Sequence, residues 1–126
     1  MNIFISYADK DTSYLTELTA RLTVLQRTNS FTFWSKQNLI VGDSWKTIIN
    51  DKLTNADIIL ILVSTDALAS DHVYDEITQA ILQSKLGKSI IIPIILRSCI
   101  WKDTILEEVS QYCIATVPIA NQDNKD

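Results

Sequence analysis

Only two glycines and two prolines stand in the 126 residues, and that scarcity excludes several functions at once. The segment after the first apolar run reads Ser6-Tyr7-Ala8-Asp9-Lys10-Asp11 and contains no glycine. A dinucleotide fingerprint needs glycines there so that backbone can approach a pyrophosphate, and a phosphate-cradling loop needs a glycine-rich turn ending in lysine. Hydride transfer and phosphoryl transfer therefore lose support. The two cysteines, Cys99 and Cys113, form no C-x-x-C pair, and with the single histidine His72 they make no metal set. No metal is expected, and reduced, cytosolic thiols are the default. Lys and Arg number 11 against 15 Asp and Glu, for a net charge of −4. Without a basic cluster, nucleic acid is not expected as a direct partner. No apolar run approaches the roughly 18 to 20 residues that span a bilayer, so no membrane partner is expected. The start Met1-Asn2-Ile3-Phe4-Ile5 lacks the basic region and cleavage site of a secretory signal, which leaves the cytoplasm as the expected location.

What the chain has in quantity is apolar material, 47% of its residues, enough for the core of one domain at this length. The longest apolar run is Ile58-Ile59-Leu60-Ile61-Leu62-Val63. It shows no polar alternation, as in a strand covered on both faces of a parallel sheet. A polar stretch follows, and then a helix with Val73, Ile77, Ala80 and Ile81 on its apolar side and Ser70 as its N-cap. Glu76 lies one position off that stripe. Close to the carboxyl end of a buried strand, its carboxylate reads either as a solvated helix residue or as a group facing the crevice where open α/β sheets bind ligands.

The remaining elements fall around this centre. Ile3-Phe4-Ile5 reads as a first strand, followed by a helix capped by Asp11 or Thr12 with Leu15, Leu18, Leu22 and Leu25 inward. Residues 31–34 read as a second strand. In the loop that follows, Gly42 is expected to adopt a conformation other residues reach only at a cost. Asp43 then caps a helix with Trp45, Ile48, Ile49 and Leu53 inward. The apolar loop residues Leu39, Ile40 and Val41 either fold onto the core or meet a partner. Leu86-Gly87-Lys88 reads as a helix stop. Residues 90–96 form a strand in which Pro93 removes a ladder donor on one side. Thr104-x-x-Glu107 opens a short helix, residues 114–117 a last strand, and residues 119–126 are a polar linker or tail. Strands alternating with helices imply parallel pairing and right-handed crossovers, hence a doubly wound α/β sheet.

The motifs in this order resemble the TIR domain, in its bacterial form. The resemblance is carried by Ile3-Phe4-Ile5-Ser6-Tyr7 with Asp9-Lys10-Asp11, and by Leu39-Ile40-Val41-Gly42-Asp43-Ser44-Trp45. Further matches are Ala56-Asp57, Ser64 with Leu68-Ala69-Ser70-Asp71 and Tyr74-Asp75-Glu76, and the stretch from Ile91-Ile92-Pro93-Ile94 to Trp101. It runs from residue 3 to about 117, which sets a domain at 1–118. It implies a flavodoxin-like five-stranded parallel sheet with helices on both faces. It also implies one of two roles: cleavage of NAD+ at the nicotinamide–ribose bond by one Glu on the third helix, or a non-catalytic adaptor that docks other TIR domains. Glu76 falls on the catalytic position. Tyr7 and Ala8 match residues lining the substrate cleft. Leu39, Gly42, Asp43, Ser44 and Trp45 match the loop that gates the cleft and makes domain–domain contacts, and His72 matches a position that often carries an aromatic residue. Ser35 stands where an Asp is usual, and Ser98 and Ile100 replace a more typical Pro and Asp. The Ser35 change bears on how that loop is anchored.

NAD+ is on this reading a substrate, and no further cofactor is implied. Its nicotinamide is already cationic and leaves as a neutral molecule, so the step needs no strong acid. The transition state carries positive charge at the ribose, and an ionised carboxylate in a partly solvated cleft would stabilise it. Transfer to water gives ADP-ribose; transfer within the molecule gives a cyclic product. The resemblance further implies an effector in bacterial anti-phage defence, switched on by self-assembly through the loop 39–45. A sensor domain is expected beyond Asp126, for instance a STING-like module binding a cyclic dinucleotide. A phospho-receiver domain shares the fold but needs carboxylates where Ser6 and Ser64 stand.

Overall fold

The computed structural model describes residues 1–40, 42 and 44–96. The Asp43 cap, Val41, Ser98, Ile100, both cysteines, the helix at Thr104, the strand 114–117 and the tail 119–126 lie outside the described residues. Four strands are described: β1 (Asn2–Ser6), β2 (Thr32–Trp34), β3 (Ile58–Val63) and β4 (Ile90–Ile95). Between them run α1 (Thr12–Leu25), α2 (Trp45–Thr54), α3 (Thr65–Ala69) and α4 (Asp71–Lys85). The strands form one parallel sheet in the order β2-β1-β3-β4, the doubly wound arrangement expected of them. Of the five strands anticipated, the fifth lies outside the described residues.

The central strand supplies both halves of the core. Ile59, Ile61 and Val63 point to one face, where α2, α3 and α4 cover them with Ile49, Leu53, Ala67, Val73, Ile77 and Ala80. Leu60 and Leu62 point to the other face and meet Leu15 and Leu22 of α1. Each full burial of such a side chain contributes about 1.5–3 kcal/mol, and five consecutive ones, Ile59 to Val63, explain why the run shows no polar alternation. The register sets Ile61 opposite Pro93. At either end of β4, Ile90 N donates to Asp57 O and Leu96 N to Val63 O, at 2.9 Å each. Even-numbered residues thus face β3, and the missing N–H of Pro93 falls on the other side, where it costs this ladder nothing.

Four local expectations are corrected. The segment after β3 forms two helices, because Ser64 Oγ accepts from Ala67 N at 3.1 Å and opens α3 before Ser70 opens α4. Glu76 therefore sits on the fourth helix. Asp11 makes no capping bond; it is wholly buried and accepts a hydrogen bond from Ser64 Oγ, tying the turn after β1 to the end of β3. Leu25 is exposed, because α1, roughly 21 Å long at its usual rise, outruns the roughly 17 Å strand it covers. Trp45 is also exposed, in the first turn of α2, while Ile49 and Leu53 of the same helix are buried. The helix stop is as anticipated: Gly87 has φ +74, its N donates to Ser84 O at 3.0 Å and Lys88 N to Gln83 O at 2.9 Å. Among the described residues no helix is long and apolar enough to cross a membrane.

Candidate active site

The site lies where the carboxyl end of β1 meets the second turn of α4. Ser6, the last residue of β1, is buried, and its hydroxyl donates to Glu76 Oε1 at 2.6 Å. That is the short range of an O–H bonded to a carboxylate. Helix α4 is fixed at its start by Ser70, whose Oγ accepts from Val73 N at 3.5 Å. His72 and Glu76 are four residues apart on this helix and so share a face.

A lysine that periodicity does not mark completes the arrangement. Lys36 opens the 3-10 turn Lys36–Asn38 after β2, and its ammonium reaches three groups. Its Nζ lies 2.8 Å from Asp9 Oδ1, 3.0 Å from His72 Nε2 and 4.7 Å from the centre of the Tyr7 ring. An ammonium only donates, so His72 Nε2 accepts and the ring proton sits on Nδ1, which donates to Ser70 Oγ at 2.9 Å. The turn itself is held by Asn38 Oδ1, which accepts from the N–H of buried Ser35 at 3.0 Å. Anchoring at this position is thus done by an amide three residues on.

Four ionisable groups of the site, Glu76, His72, Asp9 and Tyr7, are displaced from their ordinary values. Burial pushes Glu76 upward; the Ser6 bond and then the Lys36 charge pull against it, and Asp75 adds to the rise. Burial, then Lys36, pushes His72 downward, against the opposing charges of Asp9 and Asp75, which favours a neutral ring. The bond to Lys36 and its charge lower Asp9. Burial, then Asp9 and Glu76, raises Tyr7. Glu76 is half-buried at the edge of a cleft, and two neighbours, the Ser6 hydroxyl and the Lys36 ammonium, oppose the upward push of burial.

Beside Glu76, between α2 and α4, is a cleft of about 400 Å³. Trp45, Ile49 and Leu53 give it an apolar wall; His72, Asp75, Glu76 and Gln79 a polar one; Lys46 and Asn50 stand among the lining residues. Of the residues singled out from sequence, the fold brings Trp45, His72 and Glu76 together here. Tyr7 and Ala8 are buried, Tyr7 beneath the Lys36 ammonium. Leu39 folds back on the core while Ile40 is exposed; Val41 lies outside the described residues. Gly42, at φ +96, and Ser44 are exposed. Asp43 lies outside the described residues. Sequence reading missed Lys36, Asn50 and Gln79 and saw in Ser6 only the end of a strand. The available signal was positional: Ser6 and Lys36 both flank the carboxyl ends of parallel strands. Among the described residues no group of three or more His, Cys, Asp or Glu is placed to hold a metal ion.

The family model described as the TIR domain matches residues 3–122. The uncharacterized protein y4lF of Sinorhizobium fredii (strain NBRC 101917 / NGR234) is 37% identical over 101 residues, covering 79% of this chain and 31% of that protein. The chain thus spans about a third of the length of this curated relative. Among solved structures, the TIR domain of the Toll-related receptor TRR-2 from the lower metazoan Hydra magnipapillata superposes with a TM-score of 0.61. It shares 19% sequence identity, with 98% of this chain and 87% of that chain covered, a likeness of fold.

Proposed function

The chain belongs to the TIR domain family, and from that premise we propose that it cleaves NAD+ at the nicotinamide–ribose bond, with Glu76 as the catalytic carboxylate. The observation that supports this most is the hydrogen bond from Ser6 to Glu76 at the edge of a cleft with one apolar and one polar wall. The departing nicotinamide takes the bonding pair and its ring charge is cancelled. Positive charge moves to the ribose carbon and ring oxygen, and a carboxylate at van der Waals range stabilises it there. Burial raises the free energy of that carboxylate before reaction, and an adjacent cation-like transition state relieves it. Trp45 offers a flat face for a base or for nicotinamide, and Asn50 and Gln79 offer amide groups to sugar hydroxyls. Water or an atom of the same dinucleotide then takes the ribosyl carbon, giving ADP-ribose or its cyclic form.

The expected setting is an effector of bacterial anti-phage defence, switched on by self-association through the loop containing Leu39, Gly42, Asp43, Ser44 and Trp45, with a sensor domain elsewhere in the full protein. A second reading, an adaptor without chemistry, is favoured by the exposure of Ile40 and of Trp45, the latter at the cleft. Raising protein concentration with NAD+ present separates the two. Nicotinamide release that climbs faster than in proportion to protein supports an assembling enzyme; assembly with no release leaves the adaptor.

A further inference from the structure

We propose that Lys36 is a positioning residue for Glu76: its ammonium bridges Asp9 and His72 across the carboxyl end of β1, clamps the start of α4 one helical turn before Glu76, and sets a positive charge on that side of the site. This deepens the NAD+-cleaving reading and rests on it. The geometry sets Lys36 apart from an ordinary surface lysine. Its side chain is 19% exposed, against 80% for Lys10, and it ties its own turn to two other segments, residues 7–9 after β1 and the start of α4. Asp9 pairs with it from the turn after β1, Tyr7 lies under it directly after β1, and His72 accepts from it one helical turn before Glu76. Because Nζ has only protons to give, the bond to Nε2 orders the imidazole, and the imidazole orders the Ser70 cap through Nδ1. The start of α4 is thereby clamped to the strand edge from which Ser6 reaches Glu76.

The charges facing Glu76 come from every element around it. Tyr7 directly follows β1 and Asp9 stands in the turn beyond it; Asp75 and His72 are on α4 itself; Lys46 lines the cleft from α2; Lys36 comes from the turn after β2. Asp75 and burial oppose ionisation, and Lys36 is the cation that counters them. Removing it leaves the Ser6 hydroxyl alone to hold the carboxylate charged.

Lys36→Met keeps the apolar stem over Tyr7 and removes the charge; Lys36→Gln removes the charge with a polar end; Lys36→Arg keeps it. Two readouts are taken on each folded variant: the carboxyl carbon-13 titration of Glu76, assigned by Glu76→Gln, and the pH profile of nicotinamide release from NAD+. In Lys36→Met and Lys36→Gln the titration midpoint is expected to move up, the acid limb of the rate profile to follow it, and release on that limb to fall by about threefold to tenfold. Lys36→Arg restores both. An unchanged midpoint in either neutral variant overturns the proposal. If wild type releases no nicotinamide, the NAD+-cleaving reading fails by itself, while the carbon-13 titration still decides what Lys36 does to Glu76.

Discussion

Ser6 and Glu76 stand 70 positions apart and meet in one hydrogen bond of 2.6 Å, donated by the serine hydroxyl to a half-buried carboxylate whose titration burial pushes upward. The bond joins the end of a strand to the second turn of a helix, so the same contact that shapes the fold sets the charge of the site.

Ser6→Ala removes that donor and leaves Lys36 as the remaining group that favours the charged carboxylate. A hydrogen bond to a charged group is worth about 1.5–3 kcal/mol. The Glu76 titration midpoint is expected to rise, because the lost bond favoured the ionised form. Nicotinamide release on the acid limb of the profile should fall by about tenfold or more, recovering in part as pH is raised. A pH–rate profile of the variant against wild type checks this.

Glu76→Gln trades activity for stability. The folded chain holds Glu76 above its ordinary value of 4.5, so it binds the proton more tightly than the unfolded chain does. The proton-linked stabilisation is complete below that ordinary value and is lost as pH climbs through the folded one. The neutral amide escapes the loss. Thermal unfolding of Glu76→Gln should therefore show a Tm above wild type at pH 7, with the pH-dependent part of the difference vanishing below about pH 4.

His72 is the sole histidine, so its signals are unambiguous. Ring nitrogen-15 shifts should place the proton on Nδ1 at neutral pH, since Lys36 occupies Nε2. Its folded value lies below 6.5, so the folded state binds fewer protons and stability declines as pH falls below that point toward the folded value. His72→Gln should flatten this part of the stability–pH curve, as read by urea midpoints.

Gly87 occupies φ +74 at the end of α4, with open space where a Cβ would stand. Gly87→Ala therefore costs only the left-handed backbone, about 1 kcal/mol. Ile61→Ala, in the middle of β3, removes a fully buried side chain and should cost about 2–5 kcal/mol. Denaturant unfolding of the two variants should keep that order.

The strands and the helix faces were legible because β3 carries an unbroken apolar run and α4 repeats Val73, Ile77, Ala80 and Ile81 at helical spacing. The helix stop at Gly87 was legible for the same kind of local reason. Trp45 was misread because it shares the apolar face of α2 by spacing, yet sits exposed in the first turn, while Ile49 and Leu53 farther along the helix are buried. Asp11 was misread because a capping carboxylate and one buried against Ser64 look alike in sequence. Glu76 was legible as a cleft candidate from its place after a buried strand, whereas Lys36 was not. Its role depends on β1, the turn after β2 and α4 converging, and no local pattern encodes a meeting of three segments.

Nicotinamide release by wild type and Glu76→Gln, with full-length protein assembled under its activating condition and NAD+ supplied, tests the central claim most directly. The account predicts release by wild type and a loss of about a thousandfold or more in the variant, with assembly unchanged, in line with removal of a group acting on the transition state. Equal release by the two proteins, or none from an assembled wild type, would contradict it.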